Sequence, residues 1–110
     1  AVCKKEDTYW MIASGCTGWE PNEARMFSAP SIWWPWKQEG NPCVGKDAGK
    51  TFGGQSTFVL PVAGTNDTFI FMADVWRPKS LMDSRYIWLP VRLGVDGKPI
   101  IEWQSRWRLP

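Results

Sequence analysis

Three stretches of this chain combine hydroxyls, amides, carboxylates and flat aromatics in ways that could do chemistry. The first is Ser14-Gly15-Cys16-Thr17-Gly18-Trp19, followed by Glu20-Pro21-Asn22-Glu23-Ala24-Arg25. Gly15 and Gly18 permit tight backbone geometry. Thr17, Trp19 and Asn22 offer a hydroxyl, a stacking plane and an amide at one rim, a set that suits a sugar. The same residues also read as a Gly-rich connection with a tryptophan plugging the core. The second stretch is Thr51-Phe52-Gly53-Gly54-Gln55-Ser56-Thr57-Phe58, in which two glycines precede a polar triplet leading into an apolar run. Gln55 is either a group pointing into a channel or a side chain that satisfies backbone groups where a strand starts. The third joins Phe69-Ile70-Phe71-Met72-Ala73-Asp74-Val75-Trp76-Arg77-Pro78 to Asp83-Ser84-Arg85-Tyr86-Ile87-Trp88-Leu89-Pro90. Asp74 and Asp83 are candidate acids, but turn capping or pairing with Arg77 and Arg85 is the preferred reading. Glu20 and Glu23 read as charges on a loop surface.

Hydrolysis of a glycosidic bond usually requires one carboxylic acid to protonate the leaving oxygen and a second group as base or nucleophile. Carboxylates are present here, but no pair has a spacing that argues for opposed roles. The chain has no histidine, which excludes Ser-His-Asp and Cys-His nucleophilic systems and any His-ligated metal. Cys3, Cys16 and Cys43 show no CxxC spacing; their odd number leaves at least one unpaired within the chain and one pair open. Thirteen Lys+Arg against eleven Asp+Glu, scattered along the sequence, make no case for nucleic acid or an anionic membrane. No apolar run approaches the ~18 residues of a membrane span.

The elements that must position these residues are strands. No segment holds apolar residues at i, i+3, i+4 and i+7 over three turns. Short β-rich runs are expected near 1–4, 8–14, 24–29 and 35–38, then a Gly/Lys/Pro-rich loop from 39 to 54, then strands near 55–62, 68–74, 85–93 and 99–104. Asn66-Asp67 and Asp96-Gly97 are suited to hairpin turns. The two sets are related by a shift of 60 residues, which lays Val2 on Val62, Asp7 on Asp67, Thr8 on Thr68, Ala13 on Ala73, Arg25 on Arg85 and Pro30 on Pro90 without a gap. A four-stranded unit repeated in this way points to propeller blades, one over 1–50 with its connecting loop and one over 51–110. Two blades cannot close a ring, so the repeat implies a larger parent chain or self-association through unpaired blade faces. Ala1-Val2-Cys3-Lys4 reads as a strand already under way, with no signal-peptide pattern. Nine tryptophans fit either a Trp-rich β core or sugar-stacking surfaces. From the residues alone the chain is a Trp-rich repeated β domain suited to carbohydrate. A non-catalytic carbohydrate-binding domain is the alternative to an enzyme.

The segments TYWMIASGCTGWEPNEAR, SIWWPW, GGQSTF, FIFMADVWRP, DSRYIWLPV and IIEWQSRW, in this order, resemble glycoside hydrolase family 43, and most closely its exo-β-1,3-galactanase-like subgroup. The resemblance implies an all-β fold, about two four-stranded antiparallel blades of a five-bladed β-propeller with the active site at its axis. It implies a secreted glycosidase, extracellular or periplasmic, acting on β-linked galactose in a polysaccharide or oligosaccharide, with inversion and without a cofactor. It places the general-acid Glu in a Glu-Ala-Pro-Ala-type strand whose last residue Ala1 resembles, so that the 110-residue chain alone is expected to be inactive. Gln55 matches the position where other members carry the base Asp; it would orient the attacking water or relay its proton through the imidic-acid form. Thr17 is similar to a contact with the sugar bound before the scissile bond. Trp33-Trp34-Pro35-Trp36 departs from the Gly-Pro-Trp usual at that strand approach.

Overall fold

The computed structural model describes residues 1–110. Nine strands and two short 3₁₀ turns make up its regular structure. The first sheet contains β1 (Val2–Lys5), β2 (Thr8–Ala13), β3 (Arg25–Ala29) and β4 (Lys37–Gly40), each antiparallel to the next. The second contains β5 (Cys43–Val44), β6 (Gln55–Pro61), β7 (Phe69–Val75), β8 (Arg85–Leu93) and β9 (Pro99–Glu102), in the spatial order β5-β9-β8-β7-β6.

The second sheet differs from the four-stranded expectation. Cys43 and Val44, placed by the sequence in a loop, add a fifth strand that runs parallel to β9, with Cys43 opposite Ile101. The chain therefore reaches the outer edge of the second sheet first. It then crosses through residues 45–54 to the other edge, where β6 begins. A shift of 60 residues lays β2 on β7 and β4 on β9 to within two residues, and starts β3 on the first residue of β8, which runs four residues longer. β1 falls on 62–65, inside a turn, because Glu6 and Asp7 alone close the first hairpin while residues 62–68 connect β6 to β7.

Alternation explains which faces meet. In β8, Ile87, Leu89 and Val91 are buried while Tyr86, Trp88 and Arg92 are exposed, the period-2 pattern of a strand with one face inward. β7 lies between β6 and β8 and is almost continuously apolar; Phe71, at its centre, is 0% exposed. The core joins Trp10, Ile12 and Met26 from the first sheet to Val59, Phe71, Leu89 and Ile101 from the second. Burying each such side chain contributes about 1.5–3 kcal/mol.

The Trp-rich core is not what forms. Trp10 alone of the nine is buried; Trp33 and Trp34, in the turn between β3 and β4, are 87% and 75% exposed. Trp88 points outward because its neighbours Ile87 and Leu89 point inward. All three cysteines are free thiols. Burial pushes the Cys43 thiol up to about 12 and raises that of Cys3, so both act as small apolar groups.

Two ion pairs clamp the sheets together. Lys5 in β1 reaches Asp67 at 2.7 Å, and Lys98 in the β8–β9 turn reaches Glu39 of β4 at 2.8 Å. Glu39 also accepts a hydrogen bond from the Ser28 hydroxyl at 2.6 Å, and its side chain is 6% exposed. The Lys98 and Ser28 hydrogen bonds hold its carboxyl below the ordinary range.

Candidate functional site

The β2–β3 connection (14–24) and the start of β6 come together where the two sheets meet. Three hydrogen bonds join β2 and its following loop to the segment 51–56. The Ser56 hydroxyl donates to the Ile12 carbonyl at 2.9 Å, the Thr51 hydroxyl donates to the Asn22 carbonyl at 2.7 Å, and Gln55 Nε2 donates to the Gly18 carbonyl. A β-bulge in β6 sets up this contact. Ser56 pairs with Ala73 and Phe58 with Met72, leaving Thr57 as an extra residue. The bulge turns Ser56 toward the first sheet while Gln55 stays opposite Asp74.

The 14–22 loop is held from within by Asn22. Its Oδ1 accepts the Gly15 N–H at 2.7 Å, its Nδ2 donates to Thr17 Oγ1 at 2.6 Å, and Thr17 Oγ1 donates to the Glu20 carbonyl at 2.7 Å. Both the amide and the hydroxyl that the sequence offered to a ligand are thus engaged in the loop's own structure. Thr17 and Asn22 still line one cleft of about 310 Å³, together with Gly15, Arg25, Gln38 and Gly40. Gly18 sits at φ 63°, a left-handed conformation that glycine adopts without cost. Its carbonyl meets the Gln55 amide.

Trp19 is not in that cleft. It packs edge-on against Trp76, with ring centroids 5.1 Å apart and planes at 75°. The two indoles line a separate groove of about 620 Å³ with Glu20, Arg77, Pro78 and Lys79. The site is therefore two concavities flanking the Gly18–Gln55 contact, one polar and one aromatic. Trp19 is half exposed, and a plug of the core it is not.

Neither carboxylate of the third stretch forms the expected arginine pair. Asp83 ends the 3₁₀ turn Leu81–Asp83 and accepts the Ser80 hydroxyl at 2.9 Å, a side-chain bond that caps no backbone group. Arg85 donates instead to the backbone carbonyls of Asp83 and Ser84, at 2.6 and 3.2 Å. Asp74 faces Gln55 across the β6–β7 ladder. Glu20 and Glu23 are exposed loop charges.

Two residues that sequence reasoning did not single out matter here. Trp76 completes the aromatic groove. Thr51 is 3% exposed, and its φ of 51° is left-handed, as is the φ of 56° at Phe52. A β-branched residue in that region costs about 1–2 kcal/mol. Such strain persists where its surroundings fix it, and sites that hold ligands are common places for it. Here the fixing contact is the Thr51–Asn22 hydrogen bond, which ties the approach to Gln55 to the loop that carries Thr17, Gly18 and Trp19.

No model of a known protein family matches the sequence, and no curated protein matches it. Solved structures do. A GH43 β-1,3-galactosidase, BT3683, solved with galactodeoxynojirimycin, is 61% identical to the chain over 99% of its length, with a TM-score of 0.96. The chain belongs to glycoside hydrolase family 43. A second family 43 β-1,3-galactosidase, BT0265, is 36% identical over 99% of the chain, with a TM-score of 0.94. An exo-β-1,3-galactanase from Phanerochaete chrysosporium, solved with β-1,3-galactotriose, is 37% identical over 91% of the chain, with a TM-score of 0.77. This family 43 chain spans 31%, 23% and 22% of the lengths of those three proteins. Its all-β fold is shared with them.

Proposed function

We propose that the protein carrying this chain is a β-1,3-galactosidase that removes galactose from β-1,3-linked galactan or its oligosaccharides. The observation that carries the reading is the 61% identity, over nearly the whole chain, to a β-1,3-galactosidase solved with galactodeoxynojirimycin. The two sheets are read as adjacent blades of a five-bladed propeller, and the Gly18–Gln55 contact as part of the rim of its axial site. The general acid, a Glu, lies outside these 110 residues. It protonates the glycosidic oxygen as the bond to the anomeric carbon breaks, and a water molecule forms the new bond to that carbon and gives up its proton to bulk water.

Gln55 acts on that water. With Nε2 donating to Gly18, the side-chain amide has a fixed orientation, and its Oε1 is free to accept a hydrogen bond from the nucleophile. Thr17 and Asn22 shape the cleft beside it, and Trp19 with Trp76 gives an aromatic face for a pyranose ring. Outside the axial site, Phe58 and Trp88 lie on one cross-strand row through Met72, and both are half exposed. We read this face as covered by the rest of the longer protein and as a surface for self-association in the isolated chain. We propose an extracellular or periplasmic location, on the resemblance to family 43 alone.

Galactose release from β-1,3-galactobiose tests the reading. The 110-residue chain is expected to release none above a buffer control, and the longer protein is expected to release galactose. Turnover by the isolated chain would contradict the placement of the acid and turn attention to Glu20, Glu23, Asp74 and Asp83.

A further inference from the structure

A third concavity lies between the crossing segment 45–54 and the end of β9. It has a volume of about 370 Å³ and is lined by Lys46, Asp47, Phe52 and Trp103. Trp103 directly follows β9, which stands three strands from β6, roughly 14 Å across the sheet at ~4.8 Å per strand. The pocket shares no lining residue with the two concavities beside the Gly18–Gln55 contact, and Phe52, three residues before Gln55, is its nearest wall to them in sequence.

Its walls have the makings of a built site. Trp103 is 52% exposed, and Phe52 braces it with ring centroids 6.0 Å apart and planes at 47°, so the indole is held while part of its surface stays open. Asp47 and Phe52 both adopt left-handed backbone conformations, φ 62° and 56°. The Asp47 carbonyl ties them together by accepting the N–H groups of Lys50 at 3.1 Å and Phe52 at 3.0 Å. This is unusual backbone for non-glycine residues, and such strain collects where ligands are clamped. The Asp47 side chain caps nothing, and neither it nor the Lys46 ammonium enters an ion pair.

These features choose among ligand classes. The open carboxylate repels an anion and the open ammonium repels a cation. A neutral polyhydroxylated ring satisfies both, donating hydroxyls to Asp47 and accepting from Lys46 while its C–H face covers the indole. The volume lies within the range of about 300–1,000 Å³ common to small-molecule sites. We propose that Lys46, Asp47, Phe52 and Trp103 form an accessory binding site for a neutral pyranose, independent of the site at Gln55.

The test is a titration of the 15N-labelled longer protein that carries this chain with methyl β-galactopyranoside, following the indole N–H signals. Trp103 is identified by the signal missing from Trp103→Ala, and the Trp19→Ala variant serves as the control for the other site. The expected result is a saturable shift of the Trp103 signal that persists in Trp19→Ala. Binding at this pocket should weaken about tenfold in Asp47→Ala. Shifts confined to Trp19 and Trp76 would overturn the accessory site while leaving the proposed function intact. Shifts confined to Trp103 would support it and count against the proposed function. A Trp103 signal unmoved at saturation, or moved equally in Asp47→Ala, sinks the proposal.

Discussion

Replacing Thr51 by valine isolates the contact that ties the two halves of the site together. Valine keeps the shape and the β-branch, so the cost of φ 51° is the same before and after. What is lost is the 2.7 Å hydrogen bond to the Asn22 carbonyl. At a position 3% exposed, water cannot replace the hydroxyl as donor. Leaving this partly buried carbonyl without a partner against the buried valine costs about 1–3 kcal/mol. For a domain of this size each kcal/mol moves the melting temperature by about 4–8 °C, so Thr51→Val should melt roughly 4–24 °C below the wild type. Thr51→Ser retains the hydroxyl and should stay close to the wild type. Thr51→Gly loses the bond but sheds the left-handed strain, about 1–2 kcal/mol, and should fall between the two. Near-ultraviolet circular dichroism of the 110-residue chain during heating reads all three. A valine variant melting within about 2 °C of wild type, or a serine variant falling as far as valine, would refute the reasoning.

Further predictions concern charge and association. The Glu39 carboxyl is held below its ordinary range chiefly by Lys98 and then by Ser28. Its contribution to stability is present above the ordinary carboxylate pKa of about 4.3 and is lost as pH falls from there through the lowered folded value. Glu39→Gln should therefore flatten the acid limb of a melting-temperature profile below about pH 5 while lowering stability near neutrality; a variant with the wild-type acid limb would contradict the clamp. The exposed row of Phe58 and Trp88 should make the isolated chain associate. Light scattering on the wild type should give a mass above the monomer, and a Phe58→Arg, Trp88→Glu double variant should shift it toward the monomer. A wild type that is monomeric at every concentration removes that expectation.

The strands were legible because alternation is local. The expected 85–93 strand is β8, and the expected 8–14 and 55–62 strands differ from β2 and β6 by one residue. β5 was hidden because Cys43 and Val44 are too few to show a period, and because a parallel partner is set by the path of the chain rather than by its pattern. Tryptophan misled for a related reason. Its size suggested a core, but alternation with Ile87 and Leu89 turns Trp88 outward, and the prolines at 30 and 35 keep Trp33 and Trp34 in a turn.

The candidate site divided in the same way. Gln55, Thr17, Trp19 and Asn22 could be picked out by residue type and by resemblance. That Asn22 spends its amide on Gly15 and Thr17, or that Trp19 finds Trp76, depends on loop geometry that no spacing encodes. Thr51 lies in a stretch that drew attention for its glycines. Its left-handed backbone breaks the preference of a β-branched residue, so composition argues against the very conformation that brings its hydroxyl to Asn22.

The central claim is that Gln55 acts on the attacking water in the proposed galactosidase, and the kinetics of Gln55→Ala in the longer protein test it most directly. With β-1,3-galactobiose as substrate, kcat should fall by about 10²–10⁴-fold, the range for a group that assists proton transfer or orients the nucleophile. KM should change little, and the melting temperature should stay near that of the wild type. A Gln55→Ala variant that turns over substrate at the wild-type rate would contradict the account.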